Sequence, residues 1–362
     1  MTTRQTPSGD GSDIKTSVGL RNFQFTFNCS SMSCGSSRFI ETEAMPGQIR
    51  ESSVSLSESV QTFPEEFGRT YHAYRAGSYA FPNDVPEQER LALQGEALKK
   101  LFDDRLFFAP LSQSTPPRTI LDVATGVGDW AIQMGDLFPD SEVIATDLSP
   151  IQPKQVPPNV NFYVEDSSDP WEYSQRFDYI HTRATAGCWA SFEKQVAEQA
   201  LATLEPGGWF ESQEMDSVVA CDDGTLDPNG PMIRWFQELT MAGEGCDRSF
   251  VLGATLKDVY ERVGFVDVQQ RIFKIPINGW AKDERFKELG RMWEKNIATG
   301  LSGFSLRMFN RAYGRSPAEI EVSLVDVRQE ISNPQIHAYM PIYVVWGRKP
   351  FAGEGPIPTP SF

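Results

Sequence analysis

The chain has little with which to bind a metal or cross-link itself. Its five cysteines (Cys29, Cys34, Cys188, Cys221, Cys246) form no Cys-x-x-Cys pair, and its three histidines (His72, His181, His337) lie far apart. That spacing argues against a disulfide framework or a structural zinc site, and no metal is expected. Scattered, odd-numbered thiols fit a reducing, intracellular compartment, nucleus or cytoplasm. Positive charge is scarce too. The 33 Lys and Arg face 49 Asp and Glu, leaving a net charge of −16. This balance argues against nucleic acid as a direct partner and against an anionic membrane surface. No run of 18 apolar residues offers a transmembrane helix. The opening Met1-Thr2-Thr3-Arg4-Gln5 lacks the apolar core of a secretory signal. No compact basic cluster reads as a nuclear import signal, and no internal repeat is visible.

With 362 residues, 40% of them hydrophobic, the chain can bury one large core or two modest ones. Residues 1–60 are rich in Ser, Thr and Gly and are expected to be a disordered tail. Phe23-Gln24-Phe25-Thr26-Phe27 alternates there like a short strand. Residues 61–110 are expected to form a helical or lid segment, with a helix from Pro86 to about Phe108. Residues 111–350 are expected to be the main domain, and 351–362 a tail. Strand-like runs recur at 119–124, 142–147, 160–164, 177–181 and 208–214, with helical patterns at 129–138 and 190–204. Such alternation predicts an α/β fold with a parallel sheet and crossover helices. Pro206-Gly207-Gly208 reads as a sharp turn before the fifth strand. Helical patterns follow at 231–243 and 253–263, a strand begins at Phe265, and a helical insertion covers about 282–332. His337 to Trp346 reads as the last strand.

The segment from Ile120 to Trp130 carries the most information. A short apolar run reaches Asp122, then Thr125-Gly126-Val127-Gly128, then a helical pattern. This is a strand-turn-helix seat for a nucleotide-type ligand. The second strand ends at Asp147, 21 residues beyond Gly126 (147 − 126). A carboxylate there can accept hydrogen bonds from ribose hydroxyls, each worth roughly 1.5–3 kcal/mol. Two ligands carry such a ribose: a dinucleotide such as NAD, for an oxidoreductase, and S-adenosyl-L-methionine, for a methyltransferase. Gly126-x-Gly128-x-x-Ala131 formally fits the dinucleotide fingerprint. A pyrophosphate, however, would lie beside Asp122 and Asp129 and be repelled, whereas an ammonium and a sulfonium would be attracted. The charges favour S-adenosylmethionine.

In an open parallel sheet, ligands sit at the carboxyl ends of the strands. The third strand ends at Glu165-Asp166-Ser167, where Asp166 can accept from an adenine amino group. The fourth ends at His181-Thr182-Arg183, and the fifth at Glu211 to Asp216. Methyl transfer from a sulfonium needs chiefly proximity and orientation, with a base only if the acceptor must lose a proton. His181 is the candidate base, set against a purely structural histidine. Arg183 can pair with an acceptor carboxylate, or with Glu211 or Glu214. Trp130 and Trp189 are either cation–π partners of a sulfonium or core packing. The candidate catalytic set is His181, Arg183 and Glu214. The candidate donor-binding set is Asp122, Thr125, Gly126, Gly128, Asp147, Leu148, Asp166 and Ser167. Upstream, Gly68-Arg69-Thr70-Tyr71-His72-Ala73-Tyr74-Arg75-Ala76-Gly77-Ser78-Tyr79 is either a lid over the site or a surface anchor.

Together these residues resemble the fungal LaeA-like methyltransferases, a class I S-adenosylmethionine-dependent family, from about Phe67 to Pro350. Four stretches carry the resemblance. They are Gly68–Gly77 with Pro82-Asn83-Asp84, Thr146-Asp147-Leu148-Ser149-Pro150-Ile151-Gln152-Pro153, Phe177–Arg183, and Leu204–Glu211. The Ile336-His337-Ala338-Tyr339 segment also fits. The resemblance implies a Rossmann-like, twisted, seven-stranded, mostly parallel sheet with helices on both faces and its last strand antiparallel. It implies donor contacts at Asp122, Gly126, Gly128, Asp147 and Asp166. It also implies a small-molecule or protein methyl acceptor, and either a cluster-encoded tailoring enzyme or a nuclear regulator of secondary metabolism with protein partners. One position departs: the family's first loop usually begins with Gly where this chain has Ala124, and Ala disfavours positive φ.

Overall fold

The computed structural model describes residues 58–354. The expected strand at Phe23–Phe27 and nearly all of the two expected tails lie outside the described residues.

Seven strands form one sheet: β1 (Thr119–Val123), β2 (Glu142–Asp147), β3 (Val160–Val164), β4 (Phe177–Arg183), β5 (Leu204–Met215), β6 (Val266–Pro276) and β7 (Tyr339–Arg348). Their order is β3-β2-β1-β4-β5-β7-β6. The first five strands run parallel, and β7 pairs antiparallel to both β5 and β6. The order of winding reverses at β1: β2 and β3 build outward to one side, β4 and β5 to the other. This switch point leaves a crevice above the carboxyl ends of the central strands.

The strands are buried on both faces, so successive side chains feed two different cores. Ile120, Val143 and Tyr179 face one core. It includes α1 (Val85–Leu101), α2 (Asp129–Leu137), α4 (Pro231–Glu244), α6 (Glu284–Tyr313) and α7 (Pro317–Ile331). Leu121, Ile144, Ile180 and Phe210 face the other, with α3 (Glu198–Thr203) and α5 (Leu256–Val263). Helices thus cover both faces, as an apolar parallel sheet requires. The helical segment before the last strand consists of α6 and α7. Asp283 caps α6 by accepting from the Phe286 amide, and Ser316 with Glu319 forms a capping box on α7.

Two boundaries differ from the sequence expectation. The first helix stops at Leu101, seven residues before Phe108. Asp103 and Asp104 take φ values of 56° and 60°, a left-handed conformation that ends a helix. The following segment is then held from outside. The Leu106 carbonyl accepts from Trp130 Nε1 at 2.8 Å and Gln213 Nε2 at 2.9 Å. Pro206-Gly207-Gly208, expected as a turn before β5, lies inside it. β5 begins at Leu204, paired with Phe177, and the register shifts before Trp209 meets Tyr179. The bulge is stabilised by the residue just after β7: the Gly207 amide donates to the Lys349 carbonyl, and the Lys349 amide to the Gly208 carbonyl.

Candidate functional site

Each strand end that the fold brings to the crevice contributes a loop. After β1 the chain turns through Ala124, Thr125, Gly126, Val127 and Gly128 into α2. Gly128, the residue before α2, has φ 83°, and a Cβ on it would meet the Phe162 ring at 2.5 Å. Only glycine fits that turn. Thr125 Oγ1 donates to Asp122 Oδ2 at 2.5 Å, and the Thr125 amide donates to the Thr146 carbonyl at 2.9 Å. Ala124 itself has φ 56°, so the departure seen in sequence is a strained non-glycine residue. Ala184, at the end of the adjacent β4, has φ 56° as well. Both line the crevice, and strain of this kind gathers at functional sites.

Asp147 closes the other side of the loop. Its Oδ2 accepts from the Gly126 amide and its Oδ1 from the Ser149 amide, both at 2.9 Å. Burial pushes the carboxyl up to about 6; the nearby Asp122 charge pushes the same way, while the two amides pull it down. The segment after Asp147 then fastens the glycine loop. Gln152 Nε2 donates to the carbonyls of Gly126 at 2.6 Å and Ser149 at 2.9 Å. Beyond β3, Asp166 Oδ1 accepts from the Ser168 amide and hydroxyl, leaving Oδ2 without a hydrogen-bond partner among the described residues. Trp189 Nε1 donates to Ser167 Oγ at 3.0 Å.

These loops surround an open cavity enclosing about 1140 Å³, open solvent at its mouth included. Asp122, Thr125, Gly126, Asp147, Leu148, Asp166, Ser167, His181 and Arg183 all line it, as do Trp130 and Trp189. Gly128 and Glu214 are not among the lining residues. Gly128 acts through the turn. Glu214 is fully buried away from the cavity, where both its oxygens accept from Thr185, one from the amide at 2.7 Å and one from the hydroxyl. Burial pushes its carboxyl up to about 7. The geometry gives Glu214 no access to a reacting atom.

His181 is also enclosed. It is 0% exposed, its Nδ1 lies 2.8 Å from Asp122 Oδ1, and its ring stacks on Trp130 at 3.7 Å and 7°. Its Nε2 is buried without a hydrogen-bond partner among the described residues. The register explains the cluster: Asp122, His181 and Glu211 are cross-strand partners on β1, β4 and β5. Asp122 thus joins His181 to the glycine loop through Thr125, and the histidine lines the cavity at the same time. Arg183 pairs with neither alternative partner suggested by sequence. Glu211 instead accepts from the Phe108 and Ala109 amides and from Gln213. Trp130 is core packing, 1% exposed, with its Nε1 bonded to Leu106.

Opposite the strands, the segment read as either a lid or a surface anchor reaches the cavity at its last residue, Tyr79; sequence reasoning missed the rest of that wall. Tyr79, Phe81, Pro82 and Asn83, then Glu87, Leu91, Gln94 and Gly95 of α1, line the cavity. Glu87 is paired with Arg90 at 2.7 Å, and Arg90 Nη1 reaches Gln94 and Asn296. The signal was present as polar residues at positions 87, 90 and 94, on the same helical face as the apolar residues. The segment before α1 is tied down at several points. Arg69 binds Asp84 through two contacts, Asn83 Nδ2 reaches Ser149 Oγ at 3.2 Å, and Arg75 pairs with Asp169 at 2.5 Å.

A sheet of order 3-2-1-4-5-7-6 with a glycine loop after its central strand and an acidic residue ending the next defines a class I methyltransferase fold. A methyltransferase-domain family profile matches residues 93–270. The methyltransferase pytC of Aspergillus terreus is 38% identical over 313 residues, 86% of this chain and 96% of pytC. The secondary metabolism regulator laeA of Aspergillus flavus is 34% identical over 311 residues, 82% of this chain and 80% of laeA. The protein-methionine methyltransferase laeA of Emericella nidulans is 34% identical over 301 residues, 80% of this chain and 77% of that protein. The chain belongs to this fungal, LaeA-like family of S-adenosylmethionine-dependent methyltransferases of secondary metabolism.

Proposed function

We propose that the cavity holds S-adenosylmethionine across the ends of β3, β2 and β1, and that its methyl group passes to a small metabolite. The observation that carries this reading is Asp147: a half-buried carboxylate, fixed by the glycine loop's own amide, on the cavity wall. It would accept from the ribose hydroxyls, Asp166 Oδ2 from the adenine amino group, and Leu148 would lie along the base. The donor, when bound, supplies a methyl group already activated on a sulfonium. The chain's own residues supply position and exclude water, α1 and Tyr79–Asn83 forming the far wall. Compartment is part of the same proposal: cytoplasm for a tailoring enzyme.

A second reading is a protein acceptor, as in the Emericella nidulans relative named for methionine. The engagement of His181 with Asp122 and Trp130 favours it, because a thioether loses no proton and needs no base. That reading carries a nuclear location and regulatory protein partners. Incubation with radiolabelled donor and an extract of the source organism separates the two. Label in the small-molecule fraction supports tailoring; label confined to protein overturns it. Imaging of a tagged chain adds the compartment.

A further inference from the structure

The cavity is a strongly acidic place. Glu87, Asp122, Asp147, Glu165 and Asp166 all line it. Among the described lining residues only Arg183 carries a permanent positive charge. Its guanidinium makes no hydrogen bond or ion pair among the described residues. It lies in the field of Asp122 and Asp129, and its Nη2 packs against Gly95 of α1, where a Cβ would come within 3.2 Å. Those two carboxylates offset part of the cost of burying the guanidinium, but its N–H groups have no hydrogen-bonded partner among the described residues, and a ligand carboxylate would supply one.

The geometry points to Arg183 as a carboxylate receptor, taking the amino-acid carboxylate of the methyl donor. This rests on the proposed donor site. Asp166, Asp147, Asp122 with Thr125, and Arg183 follow β3, β2, β1 and β4, four neighbouring strands. A donor with its adenine at β3 and its ribose at β2 puts its amino-acid end at β1 and β4. There its ammonium meets Asp122 and its carboxylate meets the lone cation. A guanidinium matches a carboxylate with two parallel hydrogen bonds. Gly95 leaves the room for Arg183 to lie there, which gives this helical glycine a reason.

The test compares two ligands that differ in one group: S-adenosylmethionine and its decarboxylated form, which keeps nucleoside, sulfonium and amine. Each is titrated calorimetrically into the full chain. Wild type prefers the carboxylate-bearing ligand by at least about tenfold. Arg183→Gln brings the preference to within about twofold, mainly by weakening S-adenosylmethionine. Gly95→Ala, which keeps every charge and improves helix propensity, narrows the preference several-fold. Asp147→Asn weakens both ligands and keeps the preference. Arg183→Gln that binds donor with the wild-type preference overturns the inference and leaves the donor site standing, including the case where its only effect is a raised KM for an acidic acceptor. Wild type that binds neither ligand overturns both.

Discussion

Donor binding is expected to depend on pH through one residue. The Asp147 carboxyl is held up at about 6 by burial and by Asp122. Ribose hydroxyls donate hydrogen bonds, so they need Asp147 ionised. If the protonated form binds weakly, apparent affinity falls by the factor 1 + 10^(pKa − pH). That factor is about 2 at pH 6 and about 11 at pH 5, with almost no loss at pH 8. The perturbation is therefore twofold: lower the pH, and replace Asp147 with Asn. The variant loses the charge and is expected to bind S-adenosylhomocysteine at least about tenfold more weakly at pH 8. That corresponds to about 1.4 kcal/mol, below the value of one charged hydrogen bond. Its affinity should not change further between pH 8 and 5. Titration calorimetry at half-unit intervals measures both curves. A flat wild-type profile, or the same acid step in Asp147→Asn, would refute the assignment of the step to this carboxylate.

Three further outcomes follow from the geometry. Ala124→Gly relieves a left-handed alanine, worth about 1–2 kcal/mol, against about 0.5–1 kcal/mol for a freer unfolded chain. The variant should be up to about 1 kcal/mol more stable in urea unfolding, and a clear loss of stability would contradict the strain. His181→Ala removes the anchor of Asp122 and Thr125, so donor affinity should fall along with turnover, with partial recovery in His181→Asn. Wild-type donor affinity in His181→Ala would return the residue to the role of a base. Glu214 has its folded pKa raised to about 7 from the usual 4.5. A raised value means that this group's contribution to stability is full at acidic pH and is lost as pH rises through about 7. Between pH 5 and 8 that amounts to at most about 3 kcal/mol, at about 1.4 kcal/mol per unit. Glu214→Gln should lack this slope when unfolding is followed at several pH values; an unchanged slope assigns it elsewhere.

Much of the central sheet was legible because its strands are short, apolar and bounded by acidic or glycine-bearing ends. Ile120–Asp122 and Val143–Asp147 are of this kind, and local pattern places them. The strand-end residues that line the cavity were legible for the same reason: the strand-end rule converts a sequence position into a place. Other features depended on partners distant in sequence. The helix ends at Leu101, before left-handed Asp103 and Asp104, and the segment beyond it is held by Trp130, Gln213 and Glu211 through Leu106, Phe108 and Ala109. His181 looked like a base because its type and strand-end position suit one. Only cross-strand register shows Asp122 beside it and Trp130 stacked on it. Glu214 looked available because β5 ends nearby, yet Thr185 takes both its oxygens. Gly95 carried no signal at all, since a helical glycine has meaning only once Arg183 is seen lying against it.

The central claim is that this acidic, glycine-looped cavity takes the cationic methyl donor and not a dinucleotide. Calorimetric titration of the full chain at pH 8 with S-adenosylmethionine, and separately with NAD, tests it most directly. The account predicts saturable binding of the donor at one site per chain, weakened by Asp147→Asn, and no binding of NAD. Tight binding of NAD with none of the donor would contradict it.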